Sequence, residues 1–272
     1  MSGLMPYLIH AARNGAATTV EELLLAGGAH VDEPMTTMNH ATSLLYIASK
    51  NGHDNVVRLL LARGAAVDLA MDRGRTPLFV ASRESHETVV RLLLEGGAAI
   101  NLASASGATP LFAASWAGHD NVVRLLLERG AAVNHADNNG WTPLLMASQG
   151  GHAMTTRLLL ERGAAVDQAF GEGFTPLMIA SLRGHMAVVR LLLERGAAVD
   201  LAHNNGSTPL KAACENGHLE VVKLLSSYGA SRSLLDGYTA ERIADEAGHA
   251  DMIAWLTATR HWRLRVRMAT SR

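Results

Sequence analysis

A 33-residue period runs through most of this chain. Thr76-Pro77-Leu78, Thr109-Pro110-Leu111, Thr142-Pro143-Leu144, Thr175-Pro176-Leu177 and Thr208-Pro209-Leu210 are evenly spaced. Each is followed by an apolar stretch, a Gly-His or Ser-His step and a run resembling Val-Val-Arg-Leu-Leu-Leu. A period of this size marks a stack of small two-element units. One such unit cannot bury its own apolar face, so neighbours must cover one another, and the surface that does the work is assembled from several units. That arrangement points to binding rather than to an enclosed reaction site.

Composition agrees with a helical array. Of 272 residues 48% are hydrophobic but only 4% aromatic, because Ala and Leu dominate, and both favour helix and close helix packing. A repeat array grows by addition and need not split, so one elongated, monomeric domain is expected. The formal net charge is −1, unevenly spread. Arg260, Arg263, Arg265, Arg267 and Arg272 fall in the last thirteen residues, which hold no acid, leaving 19 basic against 25 acidic residues (−6) over residues 1–259. Such a body has no basic balance favouring nucleic acid. The single cysteine, Cys214, excludes an intramolecular disulfide and fits a reducing compartment. Residues 1–15 lack the pattern of a secretory leader, and no apolar run reaches the ~20 residues that cross a bilayer. The expectation is a soluble, intracellular protein, in the cytoplasm or the nucleus.

The unit Gly140 to Glu172 shows how each module is built. Thr142 can accept a hydrogen bond from the first turn of a helix, and Pro143 stands where a missing N–H costs nothing. Leu144 to Ala147 is apolar with a small residue where a neighbouring helix must come close, and Gly150-Gly151 ends the helix after about two turns. A second helix carries Leu158, Leu159 and Leu160 and ends at Arg162-Gly163, where glycine can turn left-handed. The next segment, Ala164 to Gly173, reads as an extended arm and a tight turn, and Asn139-Gly140 and Asn205-Gly206 mark that turn in neighbouring units. Each unit therefore offers two helices and a protruding finger.

The repeat extends both ways. Ser43-Leu44 takes the place of Thr-Pro in a unit from about 41 to 73, residues 5–33 form a divergent first unit joined by a longer connector around Pro34 to His40, and residues 237–258 form an altered last one. Terminal units must show a polar outer face, so they are expected to differ. The whole array spans 5–258 in about eight repeats, regular over about 41–236, followed by a basic tail at 259–272. The pattern Gly-x-Thr-Pro-Leu, small-residue helix, Gly-His, Val-Val-x-Leu-Leu-Leu, Gly-Ala-x-Val-Asp/Asn resembles that of ankyrin repeats. The resemblance implies an all-α solenoid of stacked helix-turn-helix units, with short β-hairpin fingers projecting from a concave side. It also implies a protein-binding scaffold without catalysis or cofactor of its own.

Two departures from the family pattern stand out. Where family members usually carry His after Thr-Pro-Leu, this chain has Phe79, Phe112, Leu145, Met178 and Lys211, so apolar packing is expected to replace a polar link between most units. The fingertip Asp of the family persists only as Asp137, with Met71, Ser104, Phe170 and His203 at the matching places, and those tips are expected to be less rigid.

Within one chain, repeated residues serve the shared stack and changing ones are free to serve a partner. Before Thr-Pro stand Arg75, Ala108, Trp141, Phe174 and Ser207; at the end of the first helix stand Lys50-Asn51, Arg83-Glu84, Trp116-Ala117, Gln149-Gly150, Leu182-Arg183 and Glu215-Asn216. In the family such positions line the concave face and fingers. The candidate partner-binding set is accordingly Arg75, Arg83, Trp116, Trp141, Phe170, Phe174, Leu182 and Arg183, centred on units 107–205. Two readings stand for the rings: anchors for a partner, which dominate interface energetics, or packing on a neighbouring finger. Phe79 and Phe112 are read as core.

Other features point away from chemistry. His53, His86, His119, His152, His185, His218 and His249 recur one per unit, too far apart for the clustered ligands zinc needs, and a bond to a nearby backbone is the expected role. Gly171-Glu172-Gly173 and Gly27-Gly28 lack the strand and the Lys-Ser/Thr of a phosphate loop. Cys214 occupies a place where five other units have Ser, as a small packing residue would. The tail Arg260-His261-Trp262-Arg263-Leu264-Arg265-Val266-Arg267 alternates basic and apolar residues. It reads as a frayed terminus or, as a second functional hypothesis, as a contact for nucleic acid or an anionic membrane through Arg260, Arg263, Arg265 and Arg267.

Overall fold

The computed structural model describes residues 4–27, 31–32, 35–37, 40–232 and 239–259. Its helices come in pairs. The first helices of the regular units are Leu44–Lys50, Pro77–Arg83, Pro110–Ala117, Pro143–Gly150, Pro176–Arg183 and Pro209–Glu215. Their partners are Asp54–Ala62, Glu87–Glu95, Asp120–Glu128, Ala153–Glu161, Met186–Glu194 and Leu219–Ser227. The pairs Met5–Arg13 with Ala17–Gly27 and Ala240–Glu246 with Ala250–Thr259 close the two ends. The longer connector contains a short antiparallel hairpin of Met35–Thr37 and His40–Thr42.

Each first helix starts as its residues dictate. The hydroxyl of Ser43, Thr76, Thr109, Thr142, Thr175, Thr208 or Thr239 accepts from the backbone N–H three residues on, at 3.1 to 3.3 Å. Pro at the next position sets φ without losing a bond in five of them. Between the first helices, alanines at one-repeat spacing (Ala48, Ala81, Ala114, Ala147, Ala180, Ala213) are fully buried, which lets the backbones approach. The first helices pack on one another more closely than the second helices do, so the row leans toward the first-helix side. Val and Leu of the second helices complete one continuous apolar core along the array.

Two columns of polar bonds tie each unit to the next. The Nε2–H of His53, His86, His119, His152, His185, His218 and His249 donates to the carbonyl of Arg13, Lys50, Arg83, Trp116, Gln149, Leu182 and Glu215 respectively, at 2.6 to 3.3 Å. A carbonyl only accepts, so Nε2 carries the proton. The histidines thus satisfy carbonyls at the ends of the preceding first helices, which a short helix otherwise leaves open. Behind six of the seven rings, all but His119, lies a left-handed glycine: at Gly151 (φ 72°) a Cβ would sit 2.6 Å from His185 Nδ1. In the second column Asp32, Asp68, Asn101, Asn134, Asp167 and Asp200 accept from the backbone N–H of Ala66, Ala99, Ala132, Ala165, Ala198 and Ser231. At the far end Arg232 donates to the Leu256 carbonyl at 3.0 Å and lies 5.1 Å from the Trp255 ring, pinning the final pair.

Candidate interaction surface

The fingers are closed in every regular unit described, including those without the tip Asp. Backbone N–H groups of Met71, Ser104, Asp137, Phe170 and His203 donate to the carbonyls of Arg75, Ala108, Trp141, Phe174 and Ser207 at 2.8 to 3.1 Å. Main-chain bonds thus close the turn in each of these units, with or without the tip Asp, and the tip side chain reinforces it. Asp137 does so by accepting from Asn139 and Trp141 N–H at 3.0 and 2.8 Å. His203 substitutes for it, its Nδ1 accepting from Asn205 N–H at 3.2 Å.

Fingers are also linked sideways. Ala105, Asn138 and Asn204 N–H donate to the carbonyls of Arg73, Ser106 and Glu172, each at 2.9 Å. Among the described residues the matching pair, Gly171 and Asn139, makes no such bond. There the Trp141 and Phe170 rings stack instead, with centroids 3.8 Å apart and planes at 30°. The stack continues from Phe170 to Phe174 at 5.4 Å and from Phe174 to His203 at 4.3 Å, crossing three successive fingers. Gly171 (φ 54°) and Gly173 (φ 108°) supply the left-handed turn that brings Phe170 and Phe174 into a tight antiparallel pair. His203 is buried and faces Glu172 Oε2 at 3.7 Å. Trp141, Phe170 and Phe174 are all half-buried, so each ring is both packed on a neighbouring finger and open along an edge.

A separate groove lies earlier in the array, with a volume of about 510 Å³. Phe79, Phe112, Trp116 and Met146 form its apolar lining, and Arg73, Arg75 and Arg83 its charged one. Phe79 is buried as expected, in a small cluster with Val80, Ala108 and Ala113, whereas Phe112 is only half-buried and faces the groove. Trp116 is 54% exposed, the most open of the three tryptophans described. Arg83 pairs with Glu84 at 2.5 Å. Of the two non-glycine residues with positive φ among the described residues, Arg73 (59°) and Ser85 (67°), Arg73 lines this groove.

The structure thus divides the expected site. Arg75, Arg83 and Trp116 come together in the groove, joined by Arg73, Phe112 and Met146, which the sequence reading did not select. Trp141, Phe170 and Phe174 join in the stack with His203. Half-buried Leu182 and exposed Arg183 stand apart at the end of helix Pro176–Arg183 and do not line the groove. Position matters here: the groove is centred one to two units before the stack. The missed residues did carry a signal, since their columns vary (Arg73, Ser106, Asn139, Glu172, Asn205; and Val80, Ala113, Met146, Ile179, Ala212).

Cys214 is fully buried, and desolvation, with smaller contributions from Glu241 and Glu215 against an opposing one from Arg232, pushes its thiol up to about 12. The thiolate, the reactive form, is thereby suppressed. No helix among the described residues is long and apolar enough to cross a membrane. The arginines of the tail, Arg260 onward, lie outside the described residues.

Helix pairs, left-handed glycines, inter-unit histidines and fingers together define an all-α repeat solenoid. The family model for ankyrin repeats matches residues 8–104, 45–137, 96–170, 131–203, 161–236 and 198–261, and the chain belongs to the ankyrin-repeat family. A search of the curated proteins finds no match. Ankyrin repeats are generally protein–protein interaction modules, and the proteins built from them are typically non-enzymatic scaffolds.

Proposed function

We propose that this protein is a non-enzymatic scaffold that binds a protein partner across the ends of its first helices and its fingers. The observation that carries this reading is Trp116. A half-exposed indole stands beside an apolar groove, in a column where the other units carry Lys50, Arg83, Gln149, Leu182 and Glu215. Large aromatic side chains left open in this way are the anchors that dominate protein interfaces. Arg75 and Arg83 flank it, and the edges of Trp141, Phe170 and Phe174 extend the surface toward Leu182 and Arg183. The partner would contact the variable columns, while the histidine, glycine and Asp/Asn columns hold the units in register. The acidic body, −6 over residues 1–259, opposes binding of a long polyanion to this face.

The test is affinity capture from cell lysate with the wild type, Trp116→Ala, and Trp141→Ala combined with Phe174→Ala. Proteins retained by the wild type should be lost from Trp116→Ala while its melting temperature is unchanged. Identical capture by all three folded proteins would contradict a partner site on this face.

A further inference from the structure

The groove has a charge asymmetry that specifies more than a general interaction surface. Three arginines line it and, among the described residues, no acidic side chain does, although the body around it is acidic overall. Arg73 and Arg75 come from the finger, and Arg83 from the end of helix Pro77–Arg83. The three arginines thus line one space from two structural elements. Glu84 neutralises part of the charge of Arg83, but it does not itself line the groove. Arg73 is held at φ 59°, a backbone region that favours glycine, and its carbonyl is fixed by Ala105 N–H at 2.9 Å. Strained positions retained next to an open cleft are characteristic of ligand-binding surfaces.

The apolar lining comes mostly from the next two first helices. Phe112 and Trp116 belong to Pro110–Ala117 and Met146 to Pro143–Gly150, whereas the arginines, with Phe79, belong to Pro77–Arg83 and the finger before it. A volume of about 510 Å³ suits a few side chains of an extended segment rather than a folded face. Guanidinium forks match carboxylates in a bidentate manner, and a rigid apolar slot beside them fixes which neighbour of the carboxylates can bind.

We propose that the groove holds an extended acidic peptide segment of the partner, its carboxylates meeting Arg73, Arg75 and Arg83 and an adjacent apolar side chain seated between Phe112, Trp116 and Met146. This rests on the protein-binding reading above and sharpens it. A single-stranded nucleic acid fits less well. Its binding uses a series of stacking platforms along a basic track, whereas here one indole is open beside three arginines on an acidic body, so a short acidic segment gains the cations without the repulsion a long polyanion would meet.

The experiment is selection of a random dodecapeptide display library on the full chain, followed by fluorescence anisotropy of the enriched peptides on variants. Enriched peptides should carry two or more Asp or Glu next to a Leu, Phe or Trp. Their affinity should fall about tenfold in Arg75→Ala with Arg83→Ala, fall similarly in Trp116→Ala, and weaken on raising salt, with melting temperatures unchanged. Arg73→Gly, which relaxes the backbone while removing the cation, should lose affinity without losing stability, which separates charge from folding. Enrichment of acid-poor peptides overturns the proposal, as does equal binding of acidic peptides to the arginine variants, or an oligothymidylate that displaces them at lower concentration. Failure of enrichment while Trp116-dependent partner capture persists overturns the acidic-segment proposal alone. Loss of both removes the protein-binding reading as well.

Discussion

The groove around Trp116 draws on finger and helix-end residues, the ring stack from Trp141 to His203 on finger residues alone, and the two put their aromatic rings to opposite effect. In the stack, rings meet within one finger and across neighbouring ones at centroid distances of 3.8 to 5.4 Å, and one sideways backbone bond is replaced by the Trp141–Phe170 contact. In the groove, the sideways bonds at Ala105 and Asn138 are intact, and Trp116 is left open beside three arginines. Aromatic residues at variable positions are thus not all of one kind. Between Trp141 and Phe170, where the sideways backbone bond is missing, the rings do the linking; between Phe174 and His203 ring contact and backbone bond act together.

This contrast can be broken most sharply at its two tryptophans. Trp141→Ala removes a stacked pair and part of the buried area between fingers, and should destabilise the array by about 2 kcal/mol in chemical denaturation. Trp116→Ala should change stability by less than about 0.5 kcal/mol, as for an exposed position. Equal losses would erase the distinction.

The next effect in size concerns backbone strain at Ser85, just after helix Pro77–Arg83. Ser85 adopts φ 67° where Gly52, Gly118, Gly151, Gly184 and Gly217 stand in the other units, each at a positive φ. Ser85→Gly should therefore stabilise by about 1 kcal/mol, and leave partner or peptide binding unchanged. A stability loss would show that the strain is compensated by contacts of the serine.

The smallest expected effect tests whether the shared frame is indifferent to what each region does. Ser82 in a groove unit and Ser181 in a stack unit are fully buried, with hydroxyls that find no hydrogen-bond partner among the described residues. Ser→Ala at either should be neutral or stabilising by up to about 1 kcal/mol, and by the same amount at both. The sixth unit already has the thiol Cys214 in this place. With its thiol pushed up to about 12, Cys214 should resist a thiol reagent at pH 8 in the folded array and react once denaturant opens the array. Fast labelling in the native state would mean that the last regular unit opens independently.

The frame was legible in the sequence because its parts are local and periodic. Thr-Pro fixes each helix start, glycine each left-handed end, and the histidine column needs only a fixed spacing to reach the carbonyl of the unit before. The surface was legible by column but not by geometry. Nothing local in Asp72-Arg73-Gly74 reveals that Arg73 is left-handed and lines the groove, because the placement depends on the neighbouring finger at Ala105. The Trp141–Phe170 stack escaped for a related reason: it depends on the altered turn at Gly171 and Gly173, and on a sideways bond that fails there. Phe112 read as core because its position is apolar in neighbouring units, yet the same apolar character serves an open groove.

The most direct measurement is a double readout on Trp116→Ala and Trp141→Ala: the denaturation midpoint and the affinity for a peptide selected on the wild type, measured well below unfolding. The expected result is a clean exchange, with Trp116→Ala keeping its midpoint and losing the peptide, and Trp141→Ala losing midpoint and keeping the peptide. Destabilisation by Trp116→Ala with peptide affinity intact, or peptide loss confined to Trp141→Ala, would contradict the assignment of the open ring to recognition and the stacked rings to the frame.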